Sequence, residues 1–204
     1  MRPTPDAQPV DDCLRRASAG DDGAWRQIVE TYSRRVYGLL YKQCRDRELA
    51  EELTQETFVK MVRAVTKSDG YQERGRFESW LFRIAMNGLR DEMRRRQRQA
   101  VGRGNNPADE AGPDPIVALA DTSTPDPLDN MTHQEQLASL RDCMQRLNDA
   151  DREVLHLRHT AGLSFQQIAE ALEKPLGTVL ARAHRATGKL RKMMTEGLNE
   201  VDAA

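Results

Sequence analysis

Four residues of one stretch, Arg83, Asn87, Arg90 and Arg94, recur at spacings of three and four, and Arg182, Arg185 and Lys189 do the same near the end of the chain. On a helix such spacings place side chains on one face, so each set forms a stripe of hydrogen-bond donors, cationic except at Asn87. Guanidinium and ammonium groups in a row suit an array of phosphates, and an arginine fork can also take the edge of a base. Other chemistry lacks its residues. His156 and His159 stand three apart without a third ligand nearby, and Cys13, Cys44 and Cys143 form no C-x-x-C pair. No glycine-rich phosphate loop and no nucleophile beside a base is present, so the expectation is a binding protein, with neither catalysis nor a cofactor. The net charge of −1 excludes a uniformly basic nucleic-acid binder, so any such contact must come from charge segregated along the chain.

The first stripe lies within residues 77–98, FESWLFRIAMNGLRDEMRRRQR. At about 100° per residue, Phe77, Trp80, Leu81, Ile84, Ala85 and Gly88 fall on one side, and Phe82, Met86, Leu89 and Met93 widen the apolar arc. The spacing predicts a long, mostly buried helix with one cationic edge running into Arg94, Arg95, Arg96 and Arg98. Upstream, a short helix over residues 12–19 stops at Gly20, and Asp21 or Asp22 caps a helix built on Trp25, Ile28, Val29, Tyr32, Val36, Leu39 and Leu40. Asp46 caps the next, with Leu49, Leu53, Phe58, Met61, Val62 and Val65 inward and Glu51, Glu52, Gln55, Glu56, Lys60 and Arg63 outward. Residues 67–76, with two glycines, read as a loop.

Beyond Arg98 the pattern lapses into a segment rich in Pro, Gly, Asn and Asp. Between Asn105 and Glu135 it carries seven acidic residues and no Lys or Arg, which predicts a flexible acidic linker. Periodicity resumes near Gln134 with Leu137, Leu140, Met144 and Leu147. Asn148 or Asp149 caps a helix holding Val154, Leu155 and Leu157 that ends near Gly162. Ser164 and Gln167 form a capping-box pattern opening a short helix with Ile168, Ala169 and Leu172 inside. After a turn at residues 173–177, Thr178 is expected to cap a last helix reaching about Met194. Val179, Ala183, Ala186, Leu190 and Met193 line its inner side, opposite Thr178, Arg182, Arg185, Lys189 and Lys192. Short helix, turn and longer basic helix make a helix-turn-helix.

The fold expected is all-α: two small helical domains, residues 12–99 and 133–196, joined by the linker 100–132, with a disordered start at 1–11 and a tail at 197–204. The chain has no apolar run of the ~20 residues that span a bilayer and no apolar signal core, so a cytoplasmic protein is expected, without membrane insertion.

This constellation resembles the compact extracytoplasmic function (ECF) group of sigma-70-type RNA polymerase sigma factors. Residues 50–58, AEELTQETF with its doubled glutamate at 51 and 52, resemble the family's polymerase-clamp-binding helix. Residues 74–85, RGRFESWLFRIA, with Asn87, Asp91 and Arg94, resemble its promoter-melting segment. Arg152 to Leu155, Gly162 to Ser164, Ile168-Ala169 and Gly177 to Val179, with Arg182, His184 and Arg185, resemble its helix-turn-helix. The resemblance implies contact with core RNA polymerase through Glu52, Leu53, Gln55, Glu56 and Phe58. It implies minus-ten recognition and melting, with a flipped base held, through Arg76, Trp80, Arg83, Asn87, Arg90 and Arg94. Minus-thirty-five recognition falls to Thr178, Arg182, His184, Arg185 and Lys189, the linker threads the RNA-exit path, and an anti-sigma factor is a further partner. Leu180 and Ala181 depart from the family, which commonly has a basic residue and a serine there. A different reading of the same helix-turn-helix is a stand-alone transcriptional regulator that dimerises through its N-terminal helices.

Overall fold

The computed structural model describes residues 7–67, 75–103 and 127–201. Eight helices are present among them and no strand. In order they are α1 (Ala7–Ser18), α2 (Asp22–Cys44), α3 (Arg47–Thr66), α4 (Phe77–Arg103), α5 (Pro127–Gln145), α6 (Asp149–His159), α7 (Phe165–Leu172) and α8 (Leu176–Val201). The expected linker residues 104–126, the loop residues 68–74 and the outermost ends lie outside the described residues.

Local chemistry sets most boundaries. Asp21 caps α2 by accepting from the Ala24 N–H at 3.1 Å, and Asp46 caps α3 by accepting from Leu49 at 3.0 Å. Asn148 accepts from the Asp151 N–H at 2.9 Å at the start of α6. The capping box at α7 is complete, with Ser164 Oγ accepting from Gln167 and Gln167 Oε1 from Ser164. Each satisfies an N–H that the first turn would leave without a partner. Three starts differ from expectation, and α4 runs on to Arg103, past the expected start of the linker at residue 100. Helix α1 begins at Ala7, inside the segment read as a disordered start, and α5 begins at Pro127, inside the expected linker, where a proline lacks only an N–H that has no helical partner. Helix α8 starts at Leu176, because the N–H groups of Thr178 and Val179 both donate to the Pro175 carbonyl, at 2.9 and 3.2 Å. Thr178 therefore belongs to the first turn and is not its cap.

The chain divides into two compact units, Met1–Ala111 with Leu157–Lys174, and Gly112–His156 with Pro175–Ala204. In the first, the apolar stripes of α1 to α4 converge on Val36, Leu39, Leu40, Met61, Leu81 and Phe82, each fully buried. Tyr32 meets Phe77 edge-on, ring centroids 5.3 Å apart. Val29 and Met93, expected in this core, are 38% and 47% exposed. Both sit at the margin of arcs wider than their neighbours cover. The segment Leu157–Lys174 joins this unit through α7, which packs on α4. Gly162, ending the turn after α6, has φ +73°, and a Cβ there would lie 3.6 Å from the Arg35 guanidinium.

The second unit has a smaller core. Leu147, Leu155 and Ala186 are buried, and Met144, Leu190 and Met193 pack against them. Cys143 is also buried, and Leu140, read as part of this face, is 36% exposed.

Candidate nucleic-acid interface

Helix α3 turns Glu52, Gln55 and Glu56 to solvent, with Phe58 half-buried at their edge. Glu56 pairs with Lys60 at 3.0 Å, and Glu51 with Arg47 at 2.9 Å, each one turn apart. Leu53 does not belong to that face. It is 5% exposed, and its Cδ2 would lie 3.8 Å from a Cβ at Gly88, so it packs against α4. Val59, 46% exposed, supplies instead an apolar group that the sequence reading passed over. It stands one turn after Gln55 and two after Glu52, so the spacing alone could have placed it there.

On α4 and at Arg76 just before it, the six residues singled out separate into two groups. Arg76 and Arg83 carry counter-charges from the end of α7: Arg76 Nε is 3.9 Å from Glu170, and Arg83 Nη1 is 3.4 Å from Glu173. Ser79, buried between them, donates to Glu170 at 2.9 Å. Trp80 is half-buried, its ring 5.9 Å from that of Phe77. Further along, Arg90 donates to Asn87 at 2.9 Å and Arg94 lies 3.6 Å from Asp91. The cationic edge is thus present, and most of its charges are held by neighbours. Arg95 and Arg96 both hold Glu92, whose carboxyl falls below the usual range chiefly through the hydrogen bond from Arg95. Arg96 also donates to Asp46 at 2.7 Å and so ties α4 to the start of α3.

On α8, His184, Arg185 and Lys189 are exposed, and Thr178 and Arg182 are half-buried. The inner line is as expected: Val179, Ala183 and Ala186 are buried. Arg185 and Lys189, however, are not free-standing. Asp151, 1% exposed on α6, has Arg185 Nη1 at 3.8 Å from one oxygen and Lys189 Nζ at 3.6 Å from the other. Asn148 Nδ2 donates to the same carboxylate at 2.8 Å. A buried carboxylate needs such partners, so these two cations stabilise the fold as well as facing solvent. Asp151 itself was missed, since nothing local announces a partner some 34 residues away.

No group of three or more His, Cys, Asp or Glu able to hold a metal ion occurs among the described residues. What the geometry offers is an acidic and amide face on α3, an arginine-rich edge on α4, and a basic helix α8. From Leu176 to Thr195 that helix has five Lys or Arg and no acidic residue.

Comparison with known proteins decides what this arrangement serves. Residues 28–99 match the family described as Sigma-70 region 2, and residues 143–192 match Sigma-70, region 4. The ECF RNA polymerase sigma factor SigE of Mycolicibacterium smegmatis is 33% identical over 187 residues, 90% of this chain and 67% of that one. The RNA polymerase sigma factor CarQ of Myxococcus xanthus is 30% identical over 90% of this chain and 96% of its own. The chain belongs to the sigma-70 family of RNA polymerase sigma factors. ECF sigma factor SigW of Bacillus subtilis is 29% identical across 90% of this chain and 95% of its own, which agrees with the ECF group. A sigma factor directs RNA polymerase to promoters and starts transcription there, and this chain carries both matched regions. Nothing in these comparisons favours a stand-alone regulator.

Solved structures support the all-α fold. The sigma factor RpoE, in complex with the anti-sigma factor NepR from Bartonella quintana, aligns with a TM-score of 0.64 at 20% identity, over 83% of this chain and 96% of that one. CnrH, in complex with the cytosolic domain of CnrY, aligns with a TM-score of 0.61 at 21% identity, over 90% and 96%. No helix among the described residues is long and apolar enough to cross a membrane.

Proposed function

We propose a division of labour among the helices of this sigma factor. The α3 face of Glu52, Gln55 and Glu56, with Phe58 and Val59 beside it, docks on the polymerase clamp. Helix α4, through Trp80, Arg83, Asn87, Arg90 and Arg94, with Arg76 just before it, engages the minus-ten element and holds a base flipped from the duplex. Helix α8, through Arg182, His184, Arg185 and Lys189 with Thr178 in its first turn, binds the minus-thirty-five element. The acidic segment between the matched regions runs along the polymerase's basic RNA-exit path. Catalysis stays with the polymerase, the protein works in the cytoplasm, and an anti-sigma factor is the natural regulator, by analogy with the relatives of known structure.

The observation that carries this reading is the segregation of charge. A chain of net charge −1 gathers five cations and no anion on the described part of α8 between Leu176 and Thr195, while α3 turns Glu51, Glu52 and Glu56 outward together with Arg47, Lys60 and Arg63. Uniform mixing, as on α3, would serve solubility equally well and would not leave α8 without an anion over this span. Charge reversal at Glu52 and Glu56 tests the docking face. Both side chains are exposed, so folding should change by no more than about 0.5 kcal/mol per site. Affinity for core polymerase, measured by competition with the parent, should fall at least tenfold with helical content unchanged. Parent-like affinity would assign the clamp contact elsewhere.

A further inference from the structure

We propose that Leu180, with Leu176 one turn before it, is a specificity-determining contact that packs on the 5-methyl group of a thymine in the major groove. The inference rests on the reading of α8 as the minus-thirty-five helix and adds what that helix reads. Leu180 is 44% exposed and Leu176 is 39% exposed, on a helix whose inner line is filled by other residues. Four residues apart, the two differ by about 40° around the axis and form one apolar flank. The opposite flank holds Arg185 and Lys189, fixed by Asp151. Between the flanks the outward line carries Gly177, Ala181 and Gly188, with the exposed His184 and Lys192 at its margins. A Cβ added at either glycine would meet nothing within 4 Å.

That cross-section fits a base-pair edge better than it fits a protein groove. Small residues at the centre of the outward line let the first turns of the helix come close, and Arg185 and Lys189 on one flank, with Arg191 about three turns beyond Leu180 on the other, suit phosphate. The absence of any acidic side chain from Leu176 to Thr195 argues for a polyanion as occupant. Within that setting an exposed leucine in the first two turns has one apolar target, the thymine methyl, because that group is the apolar mark of a base edge in the major groove. A leucine cannot take a guanine edge, which calls for an arginine or lysine donor, so the site should read thymine by its methyl and tolerate the hydrogen-bonding pattern around it.

The test uses the holoenzyme on a promoter it transcribes, with the upstream element located by footprinting. Each thymine of that element is replaced in turn by deoxyuridine, which removes only the methyl. The parent should lose about fourfold in affinity at one position, the worth of burying a single methyl group. Leu180→Ala should bind more weakly and no longer distinguish thymine from deoxyuridine there, and Leu176→Ala should narrow the difference. Arg185→Ala should weaken all promoter forms alike while keeping the distinction. If the parent distinguishes no thymine, or Leu180→Ala keeps the parent's distinction while Arg185→Ala weakens binding, the methyl contact is wrong and the placement of α8 on DNA stands. If both variants bind every form as the parent does, the placement of α8 itself falls.

Discussion

Asp46 shows how much one side chain joins. One oxygen accepts the Leu49 N–H and caps α3, and the other accepts from Arg96 of α4 at 2.7 Å. Both favour the ionised form, the backbone hydrogen bond most, and they hold the carboxyl below its ordinary value of 3.8. A depressed folded-state pKa stabilises the fold above the unfolded value, and that stability is lost as pH falls through the folded one. Asp46→Ala should cost about 1 kcal/mol at neutral pH, the usual value of an N-cap. Asp46→Asn keeps an acceptor for Leu49 and loses the charge facing Arg96, so it should cost less. Urea unfolding from pH 6 to pH 3 checks the cause: the parent should lose more stability on acidification than Asp46→Asn does. Equal acid dependence would show that the charge at this position contributes nothing. Tyr32 illustrates the opposite sign, since burial, and then the nearby Glu78, push its phenol well above the ordinary range.

At the scale of the element, α8 is the informative case. The sequence marks Gly188 as a weak point in the helix interior, and an end near Met194 was expected. The helix instead continues to Val201. A Cβ at Gly188 would meet nothing, so Gly188→Ala should stabilise the second unit by about 0.5–1 kcal/mol by removing backbone freedom from the unfolded chain. A raised urea midpoint would confirm it, and an unchanged one would mean that the helix gains nothing from restricted backbone there. The elements themselves were legible because their causes are local. Caps at Asp21, Asp46 and Ser164, and the apolar periods of α2, α3 and α4, are read within a few residues. The site was legible in its residue types and faces and less so in its partners. Leu53 shares a helix with the α3 surface, and only contact with α4 places it inside. Arg83 meets Glu173 and Arg185 meets Asp151 across long stretches of chain, and no periodicity encodes those meetings.

Arg35 reaches far along the chain and helps hold residues 157–174 in the first unit. From α2 its Nη1 donates to Glu78 of α4 at 2.6 Å, and its Nε donates to the Ala161 carbonyl at 2.8 Å, 126 residues away. Its guanidinium also lies 5.1 Å from the Tyr32 ring centre and 5.4 Å from that of Phe82. Glu78 passes the connection on by accepting from Gln167 at 2.7 Å. The ion pair is about three-quarters shielded, with side-chain exposures of 28% and 24%, so it lies between the surface and buried cases. Truncating Arg35 leaves the Ala161 carbonyl and one oxygen of Glu78 short of donors and removes the stacking on two rings. Arg35→Ala should therefore destabilise the first unit by about 1–3 kcal/mol, below the cost of breaking a fully buried pair. The loss should also be uneven. The Leu163 amide, bonded to the Leu157 carbonyl in the turn that Arg35 braces, should exchange with solvent faster by more than the Leu49 amide does. A parent-like unfolding midpoint with parent-like exchange at Leu163 would overturn this account. A uniform rise at both amides would assign Arg35 to global stability alone, because local bracing must act first on the segment it holds.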